Sequence, residues 1–234
     1  MQTVEERTGK MPKALKAVVK LEDIPGSEME KRALEVALAG GHSMAILYNA
    51  GSYAPQLIQT GKRMAQEASD AAKEAIPYHG IAYPWCPCGN YGSPKQECCC
   101  SAKVIEKHLI KLGKRTNDFA IWIGASIPLA REISRKGEPE AIIIKRIQAA
   151  RAIPEPSDVL DSCSKELIEC YMSQVNAALD LSKMIAVAKT IARLDGQDRI
   201  QVQHVTEAMQ YQPYFLHGFS GWIKPKVVEV RLKP

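Results

Sequence analysis

Nowhere in the 234 residues does a G-x-x-x-x-G-K-[ST] loop occur, although one segment is otherwise laid out to hold it. Lys31–Gly41 (KRALEVALAGG) has helical periodicity, and Met44–Asn49 (MAILYN) is a short apolar strand. A turn follows at Ala50-Gly51-Ser52, and a second helix begins near Pro55. A phosphate loop in that turn needs glycines to let the backbone curl, a Lys against the β/γ oxygens and a hydroxyl on Mg²⁺. The eight positions read Tyr48-Asn49-Ala50-Gly51-Ser52-Tyr53-Ala54-Pro55, and only Gly51 fills its role. Ala54 stands where the Lys belongs, and Pro55 offers neither a hydroxyl nor an N–H. The expectation is a chain that does not split ATP, with neither ATP nor Mg²⁺ as cofactor. Anion attraction at the remaining helix N-terminus near Ser52 leaves weak ATP binding as an alternative.

Other absences narrow the class further. No apolar run approaches the ~20 residues of a membrane span, and MQTVEERTGK at the start has no secretory apolar stretch. A cytoplasmic protein without membrane contact is expected. There is no internal repeat and no low-complexity tract. The length suits one domain or two small ones. The net charge of +5 is uneven: residues 1–20 hold five Lys/Arg against two acids, and residues 212–234 hold four against one. The body between is close to neutral. Such termini either stay solvated or meet nucleic acid or an acidic partner.

Several elements can be placed. Residues 1–26 form an entry arm closing at Pro25-Gly26. Ser27–Ala39 is a helix, with Ser27 and Glu30 spaced as a capping box and Ala33, Leu34, Ala37 and Leu38 on its apolar face. Gly40-Gly41 ends it. The next helix runs from about Pro55 to Ile76 and stops at Pro77. Gly80–Trp85 is a strand that Pro84 confines to an edge or terminus. Lys103–Leu112 is helical, Asp118–Ile127 has strand composition and Pro139–Arg151 is helical. Ile153-Pro154-Glu155-Pro156 is a linker. Beyond it lie helices at Ser164–Leu179, Ser182–Leu194 and Val202–Tyr211. Cys163 and Cys170, seven apart, are expected to pack as small apolar groups. The tail 213–234 is aromatic and basic, with Tyr214, Phe215, Phe219, Trp222, Lys224, Lys226, Arg231 and Lys233; Val227–Leu232 could pair as an extra strand.

Five of the seven cysteines lie between 86 and 100. Cys86, Cys88, Cys98 and Cys100 make two C-x-C pairs across a loop containing Gly89, Gly92 and Pro94. Two close thiolate pairs can supply the tetrahedron that structural zinc takes, with no position left open for water. Cys99 could replace a neighbour, and Lys95 and Lys103 could offset the thiolate charge. Bare reduced thiols and an iron–sulfur cluster are the alternatives. His42 and His204 read as structural, while His79, His108 and His217 show no role.

Three stretches, KRALEVALAGGHSMAIL (31–47), CPCGNYGSPKQECCCSAKVIEKHL (86–109) and MIAVAKTIARLDGQDRIQVQHVTEAMQYQ (184–212), resemble the magnesium-chelatase-like AAA+ ATPases, in particular the competence-protein M branch. The resemblance implies a reduced α/β AAA+-like domain over 27–151, a few-stranded sheet with flanking helices and the cysteine-rich loop, followed by a helical lid domain over 158–212. It also marks losses. Only Pro77–Trp85 occupies the gap where the family has a stretch carrying the Asp/Glu pair for Mg²⁺. Pro84 stands at the γ-phosphate-reading Asn, Asp118-Phe119 at the Asp-Arg pair of the arginine finger, and Leu179 at the lid's sensing Arg. Positioning and charge supply nearly all of phosphoryl-transfer catalysis, so the resemblance implies a silent relative. Its partner would be an intact AAA+ ATPase or its own copies. The alternatives are a zinc-containing, DNA-associated accessory module, to which the tail would contribute stacking and charge, and a decayed remnant.

Overall fold

The computed structural model describes residues 19–213, apart from 73, 94, 158 and 175–179. Residues 1–18 and the tail from 214, including the aromatic and basic positions singled out above, His217 and the candidate strand Val227–Leu232, lie outside the described residues, as do Pro94 and Leu179.

Three short parallel strands form the sheet: β1 (Met44–Tyr48), β2 (Gly80–Pro84) and β3 (Ile121–Ala125), in the order β2-β1-β3. Alternation along β1 sorts its side chains to two faces. Met44 and Ile46, with Ile121 and Ile123, face a large core built with α1 (Glu28–Gly40), α2 (Ala54–Ala72) and α4 (Glu140–Ala152). Ala45, Leu47 and Trp122 face the opposite way, onto Leu109 and Leu112 of α3 (Ala102–Gly113) and onto Phe119. The large core continues without a break into α5 (Ser162–Gln174), α6 (Leu181–Leu194) and α7 (Val202–Gln210), through Ile168, Met184, Val187, Ile191 and Val205. The α/β unit and the helical region thus share one interior. The mixed architecture and helical C-terminal region agree with the expected fold class.

The end of the arm belongs to that interior. Leu21 and Ile24 are buried, and the Leu21 N–H donates to Glu140 Oε2 at 2.9 Å. Arg63 grips both Glu140 oxygens at 2.6 Å, so the buried carboxylate is fully occupied.

Two local expectations fail. Ser27 sits in the left-handed region (φ 57°) and its side chain caps nothing. Glu30 is buried and accepts instead from the Ser126 N–H (2.6 Å) and Oγ (2.9 Å), so a long-range bond at the end of β3 displaces the capping box. Cys163 and Cys170 are exposed. The core-facing stripe of α5 runs through Ser164 and Ile168, which turns the cysteine face to solvent.

Both sheet edges are blunted. In β2, Pro84 has no N–H, and its carbonyl lies 2.8 Å from His108 Nε2, which gives that histidine a role. At β3, the Trp122 N–H donates to the Tyr211 carbonyl at 2.8 Å.

The helix end at Gly40-Gly41 is as expected: Gly41 (φ 67°) lets its own N–H and that of His42 reach the Ala37 carbonyl. His42 turns back under α6, with Nε2 2.8 Å from Thr190 Oγ1, and a Cβ on Gly40 would stand 2.1 Å from that nitrogen. Burial and the nearby Arg193 lower the His42 pKa to about 4. His204 is buried on α7, its Nδ1 accepting from the Gln201 N–H at 3.0 Å, and burial lowers its pKa.

Candidate metal centre

The cysteine loop leaves the C-terminal end of β2 and enters α3. β1 sends its chain to α2 on one side of the sheet, and β2 sends its chain to α3 on the other. Such a divergence between neighbouring strands is where open α/β sheets form their binding crevice. Here the cysteine loop fills it. The Trp85 N–H extends the β2–β1 pairing to the Tyr48 carbonyl (3.0 Å), and the Ala50 N–H donates to the Tyr91 carbonyl (2.9 Å). Gly92 (φ 75°) lies against Asn49, where a Cβ would come within 3.4 Å of the Asn49 Cβ.

The loop brings Cys86, Cys88, Cys98 and Cys100 together, with all four Sγ atoms within 4.8 Å of one another. Cys86 to Cys88 is 3.3 Å, Cys88 to Cys98 is 3.6 Å and Cys98 to Cys86 is 3.6 Å. A disulfide would need about 2.05 Å. A tetrahedron with Zn–S arms of about 2.3 Å has edges of about 3.8 Å, so the sulfurs already stand near the vertices that zinc requires. Cys86 is buried, and Cys88, Cys98 and Cys100 are half-buried. Cys99 is exposed and outside the cluster. Lys95 and Lys103 are exposed.

Backbone amides tune the sulfurs. A hydrogen bond from the Asn90 N–H, helped by the neighbouring thiols, holds Cys88 down at about 6. Burial pushes Cys100 up to about 12, against the pull of the Cys88 N–H. For Cys98 the Cys100 N–H pulls the pKa down, but burial and the sulfurs of Cys86 and Cys88 outweigh it. Gathering four thiolates is thus opposed by their mutual repulsion, which a divalent soft cation removes. The four cysteines fit a structural zinc ion, which would contribute cross-linking and not chemistry.

The α2 end of the crevice lacks the cation that a phosphate loop supplies. Ala54 and Pro55 open the helix, and no Lys or Arg lies between Tyr48 and Ala54. Asn49 Oδ1, Ser52 Oγ and Gln56 Oε1 are buried atoms without a hydrogen-bond partner among the described residues.

Across the sheet from this site, α1 is tied to the helical region by Arg32. Its Nε donates to Glu207 Oε1 at 2.9 Å and its Nη1 to Glu35 Oε2 at 3.1 Å. Tyr211 Oη donates to the same Glu207 oxygen at 2.8 Å.

Residues 155–212, covering α5 to α7 and the linker before them, match the family model described as magnesium chelatase, subunit ChlI C-terminal. The helical region is similar to the C-terminal part of that subunit. No curated protein matches the chain. The match meets the last of the three resembling stretches, and the matched helices pack on α1 and α4.

Sequence reading missed the backbone donors that position the sulfurs, since no residue type announces them. It also missed a readable signal on α3 and its C-cap: Lys103, Lys107, Lys111 and Lys114, spaced four, four and three, all exposed.

Proposed function

We propose that this chain is a non-catalytic, AAA+-like relative of magnesium chelatase that acts by binding a partner, either an intact AAA+ subunit or its own copies, and carries structural zinc on Cys86, Cys88, Cys98 and Cys100. One observation carries this reading. The crevice at the C-terminal ends of β1 and β2, where a triphosphate would need cations and a hydroxyl, holds the cysteine loop, and Ala54 and Pro55 stand at the head of α2. Positioned charge is nearly the whole of phosphoryl-transfer catalysis, so a site without it has nothing to offer the transition state. Purified protein is expected to show no ATP turnover above a matched blank, with or without Mg²⁺. Light scattering after gel filtration, alone and mixed with an active AAA+ subunit, is expected to show a complex. Turnover, or a strict monomer that joins neither, would remove the reading.

A second reading, a DNA-associated accessory module, is favoured by the α3 stripe. Its four lysines line about 16 Å of one helix face in steps of about 6 Å, and none pairs with an acid among the described residues. Like charges at i,i+4 destabilise a helix by a few tenths of a kcal/mol, a cost that a polyanion would reverse. Residues 95–115 hold six Lys/Arg against two acids, within a body otherwise slightly acidic. Anisotropy with a labelled single-stranded oligonucleotide is expected to show affinity that falls steeply with salt. Lys107→Glu with Lys111→Glu is expected to abolish it, and unchanged binding by that variant rejects the stripe.

A further inference from the structure

We infer that occupancy of the four-cysteine cluster controls the turn between β1 and α2: the gathered loop clamps Asn49–Ser52 in place, and loss of the metal releases it. This rests on the metal reading above and adds a regulatory role to what would otherwise be a staple.

The loop has little else to hold it. Cys86 is its one buried residue among those described, and no ion pair fixes any described residue of it. Its order therefore depends on what joins the sulfurs. The turn in turn depends on the loop, through the Ala50 N–H on the Tyr91 carbonyl, Gly92 against Asn49, and the Trp85 N–H on the Tyr48 carbonyl. Tyr91 also packs its ring against Trp85, centroids 6.5 Å apart, so the piece of loop that touches the turn is anchored to the end of β2.

The closed turn is not a comfortable one. Asn49 Oδ1, Ser52 Oγ and Gln56 Oε1 are buried atoms at the head of α2 with no hydrogen-bond partner among the described residues. Polar atoms covered in this way stay covered only while the loop above them stays in place. Once the clamp loosens, these groups gain by turning to solvent, and the first N–H groups of α2 become open to anions. Metal loading thus selects between a sealed and an open crevice.

Hydrogen exchange on the full chain tests this, with zinc bound and after chelation under reducing conditions. Peptides covering 46–56 and 86–93 are expected to exchange about tenfold faster once zinc is removed, while 181–210 keeps its protection, as local opening demands. Gly92→Ala, which leaves all four thiols but places a Cβ within 3.4 Å of the Asn49 Cβ at a φ of 75°, is expected to hold zinc at the wild-type stoichiometry by native mass spectrometry and yet to exchange faster at 46–56 than the zinc-bound wild type. Unchanged protection of 46–56 on chelation overturns the inference, as does an equal loss of protection at 181–210, since global unfolding would make the metal a staple only. Gly92→Ala that keeps the turn as protected as the zinc-bound wild type also overturns it. Zinc stoichiometry of zero in the wild type is seen separately and rejects the metal reading itself.

Discussion

The two ends of this molecule are built on opposite principles. Around α1, α6 and α7 the interior is aliphatic and continuous, with Leu34, Leu38, Val187 and Ile191 almost completely buried, and polar ties such as Arg32–Glu207 sit at its margin. At the C-terminal ends of β1 and β2 the cysteine loop buries almost nothing and relies on backbone bonds and four converging thiols. Area removed from water at roughly 25 cal/mol per Å² sustains the first region unaided. The second lacks such area, and in the proposed reading a cation would substitute for a core, as it does in many small cysteine-rich units.

The widest gap between the two regions should open on metal removal. Structural zinc is worth on the order of 10 kcal/mol in small domains, so Cys98→Ser is expected to lose zinc and lower the melting temperature more than any single core change below. Thermal unfolding with and without zinc checks this; a melting curve indifferent to zinc would erase the contrast. Next comes Trp122→Ala. Trp122 centres the smaller core, its ring 5.9 Å from Tyr83 and 5.4 Å from Phe119, its Nε1–H on the Thr116 carbonyl at 2.9 Å. A loss of about 3–5 kcal/mol is expected in denaturant titration.

Gly40→Ala sharpens the comparison from the aliphatic side. In an open helix this change stabilises by roughly 0.5–1 kcal/mol. Here the new Cβ would meet His42 Nε2 at 2.1 Å and Thr190 Oγ1 at 2.5 Å, so a destabilisation of about 1–3 kcal/mol is expected instead. The last prediction concerns pH. His42 falls from its ordinary value of 6.5 to about 4 on folding. The unfolded chain therefore binds the proton more readily, and the contribution of the neutral ring is complete above about pH 6.5 and is lost as pH drops through 4. The slope cannot exceed about 1.4 kcal/mol per pH unit for one group. His42→Gln is expected to flatten stability against pH in that window, and an unchanged profile would dismiss the buried ring as its source.

Much of this was legible before any coordinates. The short apolar run Met44–Asn49 announced a strand, Pro84 announced an edge, and the two C-x-C pairs announced a convergent thiol site. What was not legible depended on distant partners. The Ser27–Glu30 spacing satisfied the pattern of a capping box, yet Glu30 was taken by Ser126 across the fold. Cys163 and Cys170 share a helix face, but nothing in their spacing says which way it points; Ser164 and Ile168 decide that. Cys99 could not be separated from its neighbours by sequence, and its exposure follows from the loop path alone.

The bond between the Trp122 amide and the Tyr211 carbonyl makes the last described residues the hem of the sheet. β3 is the outermost strand on its side, and the chain finishes that margin itself after a long detour through four helices. Trimmed back to Leu194, the protein would present a raw selvage of unpaired amide ready to zip onto a neighbour. The magnesium-chelatase-type helices are therefore no detachable appendage: they bind off the fabric.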